Sequence, residues 1–123
     1  MTVSHRNPRP GVVLEIIRER ETQHAVWGEQ NLPNGTGPDR LLLGTLPRYE
    51  NLRDIAKVQT DIRAHAGTGT FADLLVEEVF EALAEEDPAK LRAELIQVAA
   101  LAAQWAEAID RADAFAAPGQ AEG

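Results

Sequence analysis

The sequence predicts an all-α protein of roughly four helices. Three observations carry that reading. Apolar residues recur at intervals of three and four through four segments. No stretch shows the sustained alternation of a half-buried strand. Between the segments lie Gly, Pro, Asn and Thr clusters of the kind that stop helices and start them.

Residues 1–10, MTVSHRNPRP, are polar, hold two prolines and carry His5, Arg6 and Arg9. They read as a flexible arm. GVVLEIIRERETQHAVWG places Val13, Ile16, Ile17, Arg20, His24 and Trp27 at helical spacing, with Gly28 as the stop. EQNLPNGTGPDR is a loop by composition, and its length suggests a role beyond connection. LLLGTLP reads either as a short apolar anchor or as the start of the next helix. The second helix, in RYENLRDIAKVQTDIRAH, puts Leu52, Ile55, Val58, Gln59 and Ile62 on one side. AGTGT ends it. Thr70 and Asp73 then form a capping box, with Asp in the usual Glu position, and a third helix runs from about Phe71 to Glu86. Asp87 suits an N-cap and Pro88 a first helical position. The fourth helix reaches about Asp113, and residues 114–123, AFAAPGQAEG, read as a disordered tail. The domain is therefore expected over residues 11–113.

Bulk properties narrow the function classes. A chain of 123 residues suggests one domain, small enough for a partner subunit to add much of the burial. No apolar run approaches the ~20 residues of a membrane span, and the start lacks the apolar centre of a signal peptide, so a cytoplasmic protein is expected. The absence of cysteine excludes disulfides, thiolate metal sites and a cysteine nucleophile. A net charge of −8 and a pI near 4.8 argue against a nucleic-acid polymer as partner. A nucleotide stays open, because a bound cation can reverse the local charge.

The run EEVFEALAEEDPAKLRAELIQ (77–97) asks whether its carboxylates face water. On a helical wheel, Glu78 falls within the stripe of Phe71, Leu75 and Ala82, and Glu81 lies at its edge. Glu94 sits in the centre of the stripe formed by Leu91, Val98, Leu101, Trp105 and Ile109, with Gln97 on its flank. No Lys or Arg matches them on these two inner faces, and an unpaired buried carboxylate costs several kcal/mol. Folding the third and fourth helices as an antiparallel hairpin about Asp87 brings Glu81 level with Glu94, and Glu78 level with Gln97. Such a set of hard oxygen donors suits Mg²⁺, with Mn²⁺ as a substitute. A di-iron site would need Glu-x-x-His pairs, and no histidine is placed for one.

EEVFE, a spacer of twelve residues and ELIQ together resemble the Glu-Glu-x-x-Glu, spacer, Glu-x-x-Asp signature of the MazG-like all-α nucleoside triphosphate pyrophosphohydrolases. The resemblance covers about residues 70–111, and ERETQHAVWGEQNLPNGTG upstream is similar to the first helix and loop of small actinobacterial and phage members. It implies a four-helix bundle completed by oligomerisation as a homodimer or homotetramer. It implies that Glu78, Glu81 and Glu94 ligate the metal, and that Glu77, with Glu78, serves the chemistry by helping to bind a second metal or orienting water. Gln97 stands where the family has Asp; its carbonyl can complete the metal shell but brings no charge. The implied reaction is hydrolysis of a nucleoside triphosphate, or a related nucleotide, to monophosphate and pyrophosphate. The departure at Gln97 keeps a weakened enzyme or a nucleotide-binding protein in view.

Blander readings stand beside these. A different rotation of the helices would leave Glu78 and Glu94 solvated, in a purely structural helical module. Trp27, Gln30 and Asn31 could stack on and read a base, or Trp27 could plug the core while the amides shape a turn. The Gly-rich turn GTGT (67–70) could touch phosphate, but helix capping explains it more simply. His24 is structural by default, and Leu101 and Trp105 read as core or subunit interface.

Overall fold

The computed structural model describes the backbone of residues 11–122 and side chains as far as residue 114. The arm expected at residues 1–10 lies outside the described residues. Four helices are described: α1 (Val12–Trp27), α2 (Tyr49–Ala66), α3 (Phe71–Leu83) and α4 (Pro88–Glu122). The predominantly helical fold expected from periodicity is present. The chain divides into two compact units: Pro33–Ala102, and the segments that end at Leu32 and begin at Ala103.

One feature of the first unit departs from an all-helical reading. Leu41–Leu42 (β1) pairs antiparallel with Thr45–Arg48 (β2), so LLLGTLP is neither an anchor nor a helix start. The connecting pair Leu43–Gly44 has φ of 53° and 78°, the double left-handed turn that suits the twist of a two-residue hairpin. Leucine at the first of these positions is uncommon, which is why the sequence carries no ordinary hairpin signal.

The loop before the hairpin is tied to the helices. Gly37 N–H donates to the Leu83 carbonyl at the end of α3 (2.9 Å), and Glu50 N–H at the start of α2 donates to the Pro38 carbonyl (3.1 Å). Gly37 is buried with φ of 142°, a conformation that a side chain would strain. The loop thus clips one end of α2 to the opposite end of α3.

Helix starts follow the expected chemistry. Thr70 Oγ1 accepts from Asp73 N–H (3.1 Å), and the Asp73 carboxylate accepts from Thr70 N–H (3.2 Å), a complete capping box. Asp87 accepts from Lys90 N–H (2.9 Å), with Pro88 as the first residue of α4. Helix α3 stops at Leu83, short of the expected Glu86. There the Gly37 N–H takes up a terminal carbonyl, and the Glu85 carboxylate accepts from Asp87 N–H (3.0 Å), shaping the turn into α4.

One boundary and one helix face differ from expectation. Helix α4 continues to Glu122 rather than stopping at Asp113, so the backbone of the expected tail is helical to that point. Of the apolar residues that the spacing sets on one side of α2, Leu52 is half-buried, whereas Ile55, Val58 and Ile62 are 63%, 57% and 60% exposed. Ala56 and Thr60 are buried instead, and Thr60 Oγ1 donates to the Asp73 carbonyl (3.2 Å). Small side chains let the helices approach closely, and that approach determines which face turns inward. The stripes on α3 and α4 hold better: Phe71 and Leu75 are half-buried, Ala82 and Leu91 buried, and Ile109 exposed.

In the other unit, α1 ends at Gly28 as expected, where the glycine N–H donates to the His24 carbonyl (2.8 Å). Val12 and Ile16 of α1 share a shallow groove with Ala106 and Asp110 of α4. Among the described residues, no helix is long and apolar enough to cross a membrane.

Candidate metal centre

Glu78 and Glu81 lie one turn apart on α3, and Glu94 lies on the second turn of α4. The Asp87–Pro88 start fixes where α4 begins and hence which of its residues face α3. One carboxylate oxygen from each of the three glutamates lies within 4.8 Å of the other two. All three residues are half-buried. The hairpin arithmetic that levelled Glu81 with Glu94 is therefore realised.

The electrostatics of the cluster are unfavourable as it stands. Burial raises the Glu78 pKa above the ordinary 4.5 of a glutamate, with further increments from Glu81, Glu94 and Glu77. Burial also raises Glu81, as do repulsion and a hydrogen bond with Glu94, while Lys57 and Arg53 oppose the shift. One oxygen of Glu78 and one of Glu94 (Oε2 in each) are fully buried and have no hydrogen-bond partner. Buried polar atoms are normally satisfied, and each such orphan costs on the order of 1–3 kcal/mol. A divalent cation would satisfy both oxygens at once.

The donor chemistry fits a small hard ion. In an octahedral Mg²⁺ shell at ~2.1 Å, neighbouring oxygens lie ~3.0 Å apart and opposite ones ~4.2 Å, so side-chain adjustments of up to roughly 2 Å would bring the three oxygens onto one ion. Carboxylate-only donors match Mg²⁺ or Mn²⁺ rather than the nitrogen and sulfur preferences of zinc or copper.

The remaining expected site residues are placed as follows. Glu77 is half-buried and close enough to raise the Glu78 pKa. Gln97 is exposed, one turn beyond Glu94. Trp27, Gln30 and Asn31 belong to the other unit and are exposed, Trp27 at 68%, so Trp27 is not a core plug. Asn31 donates to Glu29 Oε2 (3.1 Å). The cations Arg53 and Lys57 on α2, one turn apart and felt by Glu81, are functional candidates that the sequence reading did not include. The signal is present in the sequence as a basic i, i+4 pair on α2. Comparison with family models, curated proteins and solved structures gives no match for this chain.

Proposed function

We propose that the protein is a metal-dependent nucleotide pyrophosphohydrolase with a MazG-like helical arrangement. The observation that carries this reading is the convergence of Glu78, Glu81 and Glu94 with two orphaned buried oxygens. Glu78, Glu81 and Glu94 would hold Mg²⁺, with Gln97 able to add a weak carbonyl donor. The ion, when bound, neutralises phosphate charge and acidifies water. In the reaction, water adds to the α-phosphorus, the α–β phosphoanhydride bond breaks, and pyrophosphate leaves with the bond's electron pair. Glu77 orients the water and takes its proton.

The exposure of large apolar side chains supports assembly into a homodimer or homotetramer. Ile55, Val58 and Ile62 form an exposed stripe on α2, while among the described residues the buried hydrophobic ones are Ala56, Ala82, Ala84 and Leu91. Contiguous exposed apolar faces are costly on a free monomer.

A second reading has its own observation. Gln97 is exposed and uncharged where the resembled signature has Asp, which favours a protein that binds a nucleotide and turns it over slowly or not at all. The test is release of pyrophosphate and phosphate from a panel of ribo- and deoxynucleoside triphosphates with Mg²⁺ and then Mn²⁺. Pyrophosphate release abolished by Glu78→Ala and by Glu94→Ala supports the enzyme. Nucleotide binding without turnover supports the second reading.

A further inference from the structure

Helix α2 carries two cations toward the acidic cluster, and its register with α3 says where they lie. Thr60 Oγ1 donates to the Asp73 carbonyl (3.2 Å), and the Arg63 guanidinium pairs with the Asp73 carboxylate (3.4 Å). At the opposite ends, Gly37 and Pro38 join Leu83 of α3 to Glu50 of α2. The two helices therefore run antiparallel in a fixed register. Seven residues back from Thr60, two full turns, is Arg53, on the same face of α2. Seven residues forward from Asp73 is Phe80, next to Glu81. The same count sets Lys57 level with Val76, beside Glu77 and Glu78. Arg53 is half-buried, consistent with its lying on the face turned to α3.

These cations do not neutralise the cluster directly. Among the described ion pairs, Arg53 uses its Nε on Asp54 of its own helix (3.1 Å), and Lys57 makes none. The guanidinium keeps its outer N–H groups, and the lysine its ammonium, for another anion.

We infer that Arg53 and Lys57 form the phosphate-chain subsite of the acidic centre, holding the oxygens of a di- or triphosphate whose other oxygens meet the metal. This assignment rests on the metal site proposed above. The chemistry is complementary: carboxylates take the cation, and the cations take the anion that arrives with it. Arginine can grip phosphate oxygens with two parallel N–H bonds, and lysine adds a mobile point charge.

The test uses the full chain, Mn²⁺ and inorganic pyrophosphate, with Arg53→Gln, Lys57→Gln and Arg53→Lys. Partly exposed positions tolerate these changes, and thermal unfolding checks that each variant folds. Mn²⁺ binding is measured first, then pyrophosphate binding at saturating Mn²⁺. The expected result is Mn²⁺ affinity equal to or above wild type in both Gln variants, because a repelling charge has been removed. Pyrophosphate affinity should fall about tenfold in each, with partial recovery in Arg53→Lys. Undiminished pyrophosphate binding in both Gln variants, with Mn²⁺ binding intact, overturns this assignment alone. Failure of the wild-type protein to bind Mn²⁺ overturns the metal centre and the subsite together.

Discussion

The two ends of α3 treat carboxylates in opposite ways. Near its start, the Asp73 side chain is only 12% exposed, yet it is fully engaged: it accepts from Thr70 N–H and pairs with Arg63. Two turns on, Glu78 and Glu81 meet Glu94 of α4, and buried oxygens of Glu78 and Glu94 have no partner. The same helix thus holds one acid satisfied by the fold and a cluster that the fold leaves unsatisfied. The difference separates a carboxylate that the fold itself satisfies from carboxylates that the proposed cation would satisfy. An unsatisfied cluster lowers the stability of the metal-free fold, and the proposed metal would offset that cost.

The largest effect should come from emptying the cluster. Glu78→Ala or Glu94→Ala is expected to weaken Mn²⁺ binding by at least about a hundredfold, more than loss of an outer-shell partner usually brings. Equilibrium dialysis checks it, and the folded state should survive because the substitutions remove repulsion. Asp73→Ala should show the reverse pattern. Losing the capping box and the Arg63 pair should cost about 1–2 kcal/mol, with Tm lower by roughly 5–10 °C in calorimetry and metal affinity little changed. A double dissociation between the two ends would sharpen the comparison; parallel losses would break it.

The acidity of the cluster gives the next effect. Glu78 and Glu81 are raised above 4.5, so the folded protein holds protons that the unfolded chain has lost. Stability of the metal-free protein should therefore fall as pH rises from 4.5 through their raised folded values, and stay reduced above them. Glu78→Gln should flatten that decline. Saturating Mg²⁺ should offset it as well, since ligand at about 100 times Kd adds about 2.7 kcal/mol. Thermal melts across pH, with and without Mg²⁺, measure both. The smallest effect is expected for Gln97→Asp, a gain in Mn²⁺ affinity of roughly three- to tenfold as a charged donor replaces a neutral one. No change would remove Gln97 from the metal shell.

The legibility of this molecule varied with the physics behind each signal. The capping box at Thr70 and the Asp87–Pro88 start were readable because they depend on neighbouring residues. The meeting of Glu78, Glu81 and Glu94 was readable because two such starts, with a short turn, fix the register of a helix hairpin. The inner face of α2 was not. Its apolar stripe was more hydrophobic than the Ala56 and Thr60 face, and tertiary packing chose the smaller side chains. The hairpin at 41–48 was hidden by a Leu–Gly turn with leucine at positive φ. Arg53, half-buried, and Lys57, exposed, were not legible as neighbours of the cluster because their approach depends on how α2 packs against α3.

The central claim is that the cluster on α3 and α4 exists to hold a divalent cation. Calorimetric titration of Mn²⁺ into metal-free wild type, Glu94→Gln and Asp73→Asn tests it most directly. The account predicts saturable binding by wild type and Asp73→Asn, and its loss in Glu94→Gln. No binding by wild type at millimolar Mn²⁺, or equal binding by Glu94→Gln, would contradict it.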